Sequence, residues 1–396
     1  MRVKIRSALF QFHWLFGITA GLVLCVMGVT GASLVFEREI LEILNPHVLR
    51  ATPGAEPALA PTELLQRAQR VRPERQIVGL NLFADAELTP RVSLVSVPDA
   101  KNARPRAEWY YIDPRNATWL GSERELRGHS TLHFLEDLHR KLATGDAGKA
   151  VTGASTLVLI YLCCTGLYLR WPRHARNWRS WLQVRWQRKG RHFLWELHTV
   201  AGTGLLLLYL LSALTGLYWA YDWYKDGLLR LTGTPRAEQQ PLSDARREHP
   251  DLAKTWDTFL QESSGFSSAT LRLPDRPGDA IQITYLSAQA PHERAFSKMT
   301  LEPGQGRVLA HERYADKAAG GQLIASLFPL HSGSFFGWPG RILMFLSGLC
   351  MPLFAVTGWM LYLDRRRKRK VSEVLLKQRQ KVAQNDAPLR DLAEET

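Results

Sequence analysis

Four of the twelve histidines recur at matched positions in the two halves of the chain. His13 and His198 lie 185 residues apart, and His139 and His331 lie 192 residues apart. An imidazole can bind a metal ion through one ring nitrogen, or transfer a proton near neutral pH. The spacing therefore predicts two sites, each built from one histidine of either half.

The histidines belong to a longer internal repeat, because glycines and threonines share their offsets. The matched positions are Gly17 with Gly202, Thr30-Gly31 with Thr215-Gly216, Gly145 with Gly337, Gly148 with Gly340, and Thr165-Gly166 with Thr357-Gly358. We interpret the glycines beside the histidines as room between helices, and the Thr–Gly pairs as kinks or packing sites without a chemical role.

The elements that position these residues are four uncharged apolar runs. Each run is about as long as the ~20 residues that a helix needs to cross a bilayer. They are Trp14–Phe36, Val151–Leu169, Leu197–Tyr221 and Ile342–Leu363. The sequence thus predicts an α-helical integral membrane protein with four transmembrane helices in two parallel repeats, in which matched residues lie at the same depth.

The net charge of +14 is concentrated in short segments that flank the apolar runs. Arg170–Arg191 holds eight basic and no acidic side chains, and Arg365–Lys370 is a basic run. Because basic segments stay on the cytoplasmic side, both termini are predicted to be cytoplasmic. No nucleic-acid-binding motif accompanies these segments, so they do not indicate a nucleic-acid partner.

The two long segments between the helices are predicted to be external α/β modules with a helix at Pro61–Val71 and strands such as Val92–Val97 and Ile281–Leu286. The predicted order is terminus and first span 1–36, module 37–150, span 151–171, basic link 172–196, span 197–221, module 222–341, span 342–363 and basic tail 364–396.

Two facing imidazoles without a carboxylate favour haem over zinc as the bound group. Zinc needs three or four protein ligands, whereas haem iron needs only its two axial positions filled. We therefore predict that His13 and His198 ligate one haem near the cytoplasmic face, the inner site, and that His139 and His331 ligate another near the outer face, the outer site. His133 is the reserve ligand for the outer site. Both haems are predicted to be type b, because the chain has no Cys-x-x-Cys-His motif.

The motifs Phe12-His13-Trp14, Leu138-His139-Arg140, Trp195-Glu196-Leu197-His198, Leu330-His331 and Thr357-Gly358-Trp359 resemble the PepSY-associated transmembrane family over nearly the whole chain. Within that family the chain is most similar to the bacterial inner-membrane ferric-siderophore (ferrioxamine) reductases. The resemblance implies two haems b, external PepSY-like modules, and reduction of Fe(III)-siderophore at the periplasmic face with electrons from a cytoplasmic donor or the quinol pool.

Two alternatives remain open from the sequence alone. One is a membrane cytochrome b that passes electrons to a periplasmic protein, and the other is a non-catalytic, PepSY-type binding or sensory protein anchored in the membrane. Transport is disfavoured, since the four runs contain neither paired intramembrane charges nor an obvious helix break.

Overall fold

The computed structural model describes residues 2–51, 57–73, 75–96, 106–172, 176–236, 252–274 and 278–394. These residues form fourteen α-helices, numbered in chain order. They are α1 Arg2–Leu34, α2 Glu37–Leu44, α3 Pro46–Leu49, α4 Pro61–Val71, α5 His129–Lys141, α6 Gly145–Arg170, α7 Arg179–Leu182, α8 Gly190–Gly204, α9 Leu206–Ala220, α10 Asp222–Leu231, α11 Ala253–Glu262, α12 Ala319–Ser332, α13 Gly337–Leu349 and α14 Met351–Glu394.

The described chain separates into two compact units. The first consists of Met1–Ala32, His139–Leu214 and Leu346–Thr396, and the second consists of Ser33–Leu138 and Thr215–Phe345. The first unit is helical, and the second contains the strands of the structure.

Three segments of the described residues are long and apolar enough to cross a membrane, namely Ile5–Leu34, Gly145–Arg170 and Ser334–Leu376. Helices α8 and α9 make a fourth if they are counted as one span, although they meet at a 58° bend. The expectation of an unbroken third helix is therefore wrong. The bend follows the sequence Gly202-Thr203-Gly204, which combines poor helix formers with a hydroxyl that bonds back to the Thr199 carbonyl.

Eight antiparallel strands of the described chain form a single sheet in the order β4-β3-β2-β1-β5-β6-β7-β8. They are β1 Ile77–Phe83, β2 Arg91–Ser96, β3 Arg106–Ile112, β4 Trp119–Ser122, β5 Phe266–Arg272, β6 Ile281–Ser287, β7 Phe296–Leu301 and β8 Val308–Glu312. The predicted strands are confirmed, except that Val97 lies outside the described residues. The helix predicted at Pro61–Val71 is also confirmed.

The two outer segments contribute four strands each to one continuous sheet. Strand β1 pairs with β5 from Gly79 opposite Arg272 to Phe83 opposite Ser268. Helices α4 and α11 contribute side chains, including the fully buried Phe259, to a hydrophobic core with the strands. Pairing at β1–β5 satisfies backbone groups that each four-stranded half would leave exposed at its edge.

Two matched glycines shape the entry to the second and fourth helical spans. A Cβ on Gly148 would overlap the Lys141 carbonyl at the end of α5, and a Cβ on Gly340 would overlap the Gly333 carbonyl after α12. Glycine is therefore required where the helix that carries each outer histidine folds back onto the following helix.

Candidate functional site

A cavity of about 1170 Å³ lies within the helical unit and has both His13 and His198 on its wall. Its remaining lining comes from α1, α6, α8, α9 and α14. This volume is close to the upper end, ~1,000 Å³, of pockets that bind organic cofactors and other small molecules. The structure thus brings the predicted inner ligands into one large cavity.

Glycines open this cavity beside His13. A Cβ on Gly17 or Gly21 would meet nothing within 4 Å, and both residues line the cavity. They lie one and two turns after His13, on its face of α1. The missing side chains therefore leave room next to the imidazole for a large flat molecule.

The cavity lining includes a strongly basic group of side chains. It comprises Arg6, Arg170, Arg191, Arg365, Arg366, Arg369 and Lys370, and the acidic side chain that accompanies them is Glu373. Guanidinium groups bind carboxylates by paired hydrogen bonds. This lining suits a ligand that is apolar over most of its area and carries carboxylates at one edge, as haem does.

Each inner histidine is held by a threonine of a neighbouring helix. The Nδ1 atom of His13 lies 2.8 Å from the Thr165 Oγ1, and that of His198 lies 2.8 Å from the Thr357 Oγ1. Each threonine hydroxyl also lies 2.7 or 2.6 Å from a carbonyl four residues earlier in its own helix, to which it donates its proton.

These contacts determine which nitrogen of each imidazole carries the proton. A threonine hydroxyl has one proton, and a carbonyl can only accept, so the Oγ1 must accept its second hydrogen bond from Nδ1–H. The Nε2 atoms of His13 and His198 then carry the lone pair, and within the described residues neither has a hydrogen-bond partner. Both side chains are in the form that binds a metal ion.

The outer histidines repeat this arrangement, each inside its own unit. The Nδ1 of His331 lies 2.9 Å from the Thr215 Oγ1, and the Nδ1 of His139 lies 3.3 Å from the Thr30 Oγ1. The Nδ1 of His139 also lies 2.8 Å from the Met27 carbonyl oxygen. Because a carbonyl oxygen can only accept, this Nδ1 must carry the proton and donate it. Because the two histidines belong to different units, their predicted pairing stays a prediction.

The glycine after each threonine lies against the same imidazole. A Cβ atom added to the glycine would lie 2.8 Å from the histidine Cε1 at Gly31, 3.3 Å at Gly216, 3.4 Å at Gly166 and 3.9 Å at Gly358. The four Thr–Gly pairs therefore belong to the site, and the interpretation that gave them no chemical role missed this. Their shared offsets with the histidines were the signal that could have revealed it.

His133, the reserve ligand, is exposed on α5, and its ring centroid lies 6.2 Å from that of His129. Burial, and then the nearby Glu136, raise the pKa of the Glu37 carboxyl in the same region. Since His133 and His139 are six positions apart, they point about 120° apart around the helix. His129 and His133 thus form a polar surface feature separate from the His139 contacts.

The donor set fits haem better than an ion bound by protein alone. Among the described residues, no three His, Cys, Asp or Glu side chains come together in a way that could hold a metal ion. A haem brings four equatorial nitrogens itself and asks the protein for axial ligands only. His13 and His198 would hold it in the cavity.

The PepSY-associated TM region family matches residues 10–365, which is most of the chain. The chain belongs to this family. As a family member it is a membrane protein, in agreement with its apolar helices. It is also 26% identical over 273 residues to the uncharacterized protein PA4219 of Pseudomonas aeruginosa, a match that covers 63% of this chain and 67% of that protein.

Proposed function

We propose that this protein carries electrons across a bacterial cytoplasmic membrane through two non-covalently bound haems b and reduces Fe(III)-siderophores at the periplasmic face. The observation that carries the proposal is the presence of His13 and His198 on one cavity wall with Nδ1 engaged by threonine. His13 and His198 would hold one such haem between them, and a haem held by two histidines would supply electron transfer rather than oxygen chemistry.

The proposed arrangement has four spans in two parallel repeats, with the third span formed by α8 and α9. The basic segments after α6 and within α14 lie on the cytoplasmic side, as expected from the positive-inside distribution. His13 and His198 then form the inner site, whereas His139 and His331 form the outer one. The sheet of the second unit lies in the periplasm.

Siderophores bind Fe(III) through hard, anionic oxygen atoms. One electron delivered to each chelate converts Fe(III) to Fe(II), and the lower charge weakens every iron–oxygen bond, so Fe(II) leaves and the chelator is freed. The electron comes from a cytoplasmic protein or a quinol, which is oxidised in the same exchange. A haem would supply the one-electron carrier, and the protein would supply the histidines that hold it and its position near the outer face.

The test begins with the visible spectrum of the detergent-purified protein, oxidised and then reduced with dithionite. We expect two low-spin haems per polypeptide, and we expect His13→Ala and His198→Ala to lose the same one. His192→Ala is the matched control, because His192 is an exposed residue of the same helix α8 as His198. A colourless wild-type protein would refute the proposal and favour a binding or sensory role.

A second measurement separates direct reduction from electron delivery to a partner. Dithionite-reduced protein, freed of excess dithionite, is mixed with ferrioxamine and a ferrous-specific chromogenic chelator. We expect reoxidation of the haem bands together with formation of the ferrous complex. Haem bands that stay reduced for hours would exclude the reductase and leave a cytochrome that serves a periplasmic protein.

A further inference from the structure

The same hydrogen bond recurs at all four matched histidines, and it always joins two elements of the same half of the chain. In the first half, His13 of α1 meets Thr165 of α6, and Thr30 of α1 meets His139 of α5. In the second half, His198 of α8 meets Thr357 of α14, and Thr215 of α9 meets His331 of α12. Each half therefore contains two such braces, between α1 and α6 and between α1 and α5 in the first half, and between α8 and α14 and between α9 and α12 in the second.

We propose that these four threonines are positioning residues. Each threonine holds its histidine in the Nδ1–H form, directs the histidine Nε2 toward the haem iron, and thereby tunes the reduction potential of that haem. The proposal rests on the proposed function for its haem, but the bracing is a property of the protein alone.

Two physical consequences follow from this bracing. An acceptor on Nδ1–H fixes the ring and its tautomer, and it increases the electron density that Nε2 can donate to a metal ion. A more basic axial ligand stabilises Fe(III) relative to Fe(II), which lowers the reduction potential. Loss of the acceptor also leaves a polar N–H group without a partner in an apolar bundle, where such groups are costly.

The four sites are not equivalent, and this difference is a built-in control. Thr30 lies 3.3 Å from the His139 Nδ1, whereas the Met27 carbonyl lies 2.8 Å from the same atom. The backbone carbonyl would keep His139 in its Nδ1–H form without the threonine. Thr30→Val should therefore be the substitution that changes its histidine site, that of His139, least. Thr165→Val should clearly change the site of His13.

The test compares three variants of α6. Thr165→Val removes the hydroxyl with little change in shape, and Thr165→Ser restores it. Thr156→Val is the matched control, because the buried Thr156 Oγ1 donates to the Thr152 carbonyl in the same helix. The measurements are haem transfer to apomyoglobin, the midpoint potential of each haem, and the low-temperature electron paramagnetic resonance spectrum.

We expect Thr165→Val to weaken retention of one haem roughly ten- to a hundredfold, as outer-shell substitutions do at metal sites. We also expect the midpoint potential of that haem to become more positive and its g values to shift. Thr165→Ser should resemble the wild type. If Thr165→Val matches Thr156→Val in all three measurements, the inference is wrong.

A readout without haem separates this inference from the proposed function. In protein labelled with ¹⁵N-histidine, the ring nitrogen shifts report which nitrogen carries the proton. We expect the Nδ1–H form at His13 in the haem-free wild type and a mixture of tautomers in Thr165→Val. A protein that binds no haem but shows this change would refute the proposed function and keep the bracing, whereas unchanged shifts would refute the bracing.

Discussion

The graded spacing between four glycines and four imidazoles makes a quantitative test of the site. Gly31→Ala would place a methyl group 2.8 Å from the Cε1 and 3.1 Å from the Nδ1 of His139. Gly358→Ala would place it 3.9 Å from the Cε1 of His198, an ordinary contact distance. The two variants are chemically identical, so their difference reports the space beside the histidine.

The magnitude follows from the movement that the methyl group requires. To restore ordinary contact, the His139 ring must retreat by about 0.6 Å, which would stretch its 2.8 Å bond to the Met27 carbonyl beyond the ~3.2 Å limit of a good hydrogen bond. Overpacking of this kind costs roughly 1–3 kcal/mol, equivalent to a ~5- to 150-fold loss of affinity. The helix-propensity gain from glycine to alanine, ~0.8–1 kcal/mol, applies to both variants and cancels in the comparison.

The assay is haem content per polypeptide, with the reduced-minus-oxidised spectrum and the low-spin resonance of each haem. We expect Gly31→Ala to deplete one haem selectively and Gly358→Ala to keep both. Gly216→Ala and Gly166→Ala, at 3.3 and 3.4 Å, should fall between them. Equal haem content in all four variants would refute the reasoning, as would a larger loss at Gly358 than at Gly31.

Three further predictions test the cofactor, the topology and the ion pair of the outer region. Acid–acetone extraction should remove all haem from the polypeptide, and colour that remains with the protein would contradict type b. A reporter that is active only in the cytoplasm should work when fused after Lys370 and fail when inserted after Asp85; activity at both sites would exclude the predicted orientation. Hydrogen bonds from Arg341 lower the pKa of the Glu39 carboxyl, so this pair should stabilise the protein above the ordinary glutamate pKa and lose its contribution as the pH falls through the lowered value. The melting-temperature difference between wild type and Glu39→Gln should therefore shrink in acid, and a difference independent of pH would contradict the assignment.

Part of the site could be predicted from the sequence, because it depends on periodicity. Equal offsets matched His13 with His198, and the structure places both on one cavity wall. The strands of the outer segments were also predictable, since alternating β-branched and polar residues mark them locally. These features depend on residues within one element or on the repeat itself.

The contacts between distant elements could not be predicted in the same way. Thr165 and His13 are 152 residues apart, and their hydrogen bond depends on how α1 and α6 pack. The β1–β5 pairing is similar, because nothing local to Ile77–Phe83 specifies its partner. At that joint, the Asn81 Nδ2 donates to the Thr270 Oγ1 at 2.8 Å, a contact that only the register reveals.

The two halves of the chain depend on each other at both the sheet and the proposed site, although each half braces its own histidines. One half alone would offer a single histidine to each haem and would expose β1 or β5 as a free sheet edge, which invites association with other chains. The β1–β5 pairing removes that edge within one polypeptide. Covalent linkage of the halves has a second effect. Once one of the two contacts, the sheet pairing or the proposed site, has formed, the other forms within the same chain, so the free-energy cost of forming it does not depend on protein concentration. The duplicated architecture therefore gives a physical reason for one chain to carry both sets of histidines rather than rely on assembly of two shorter chains.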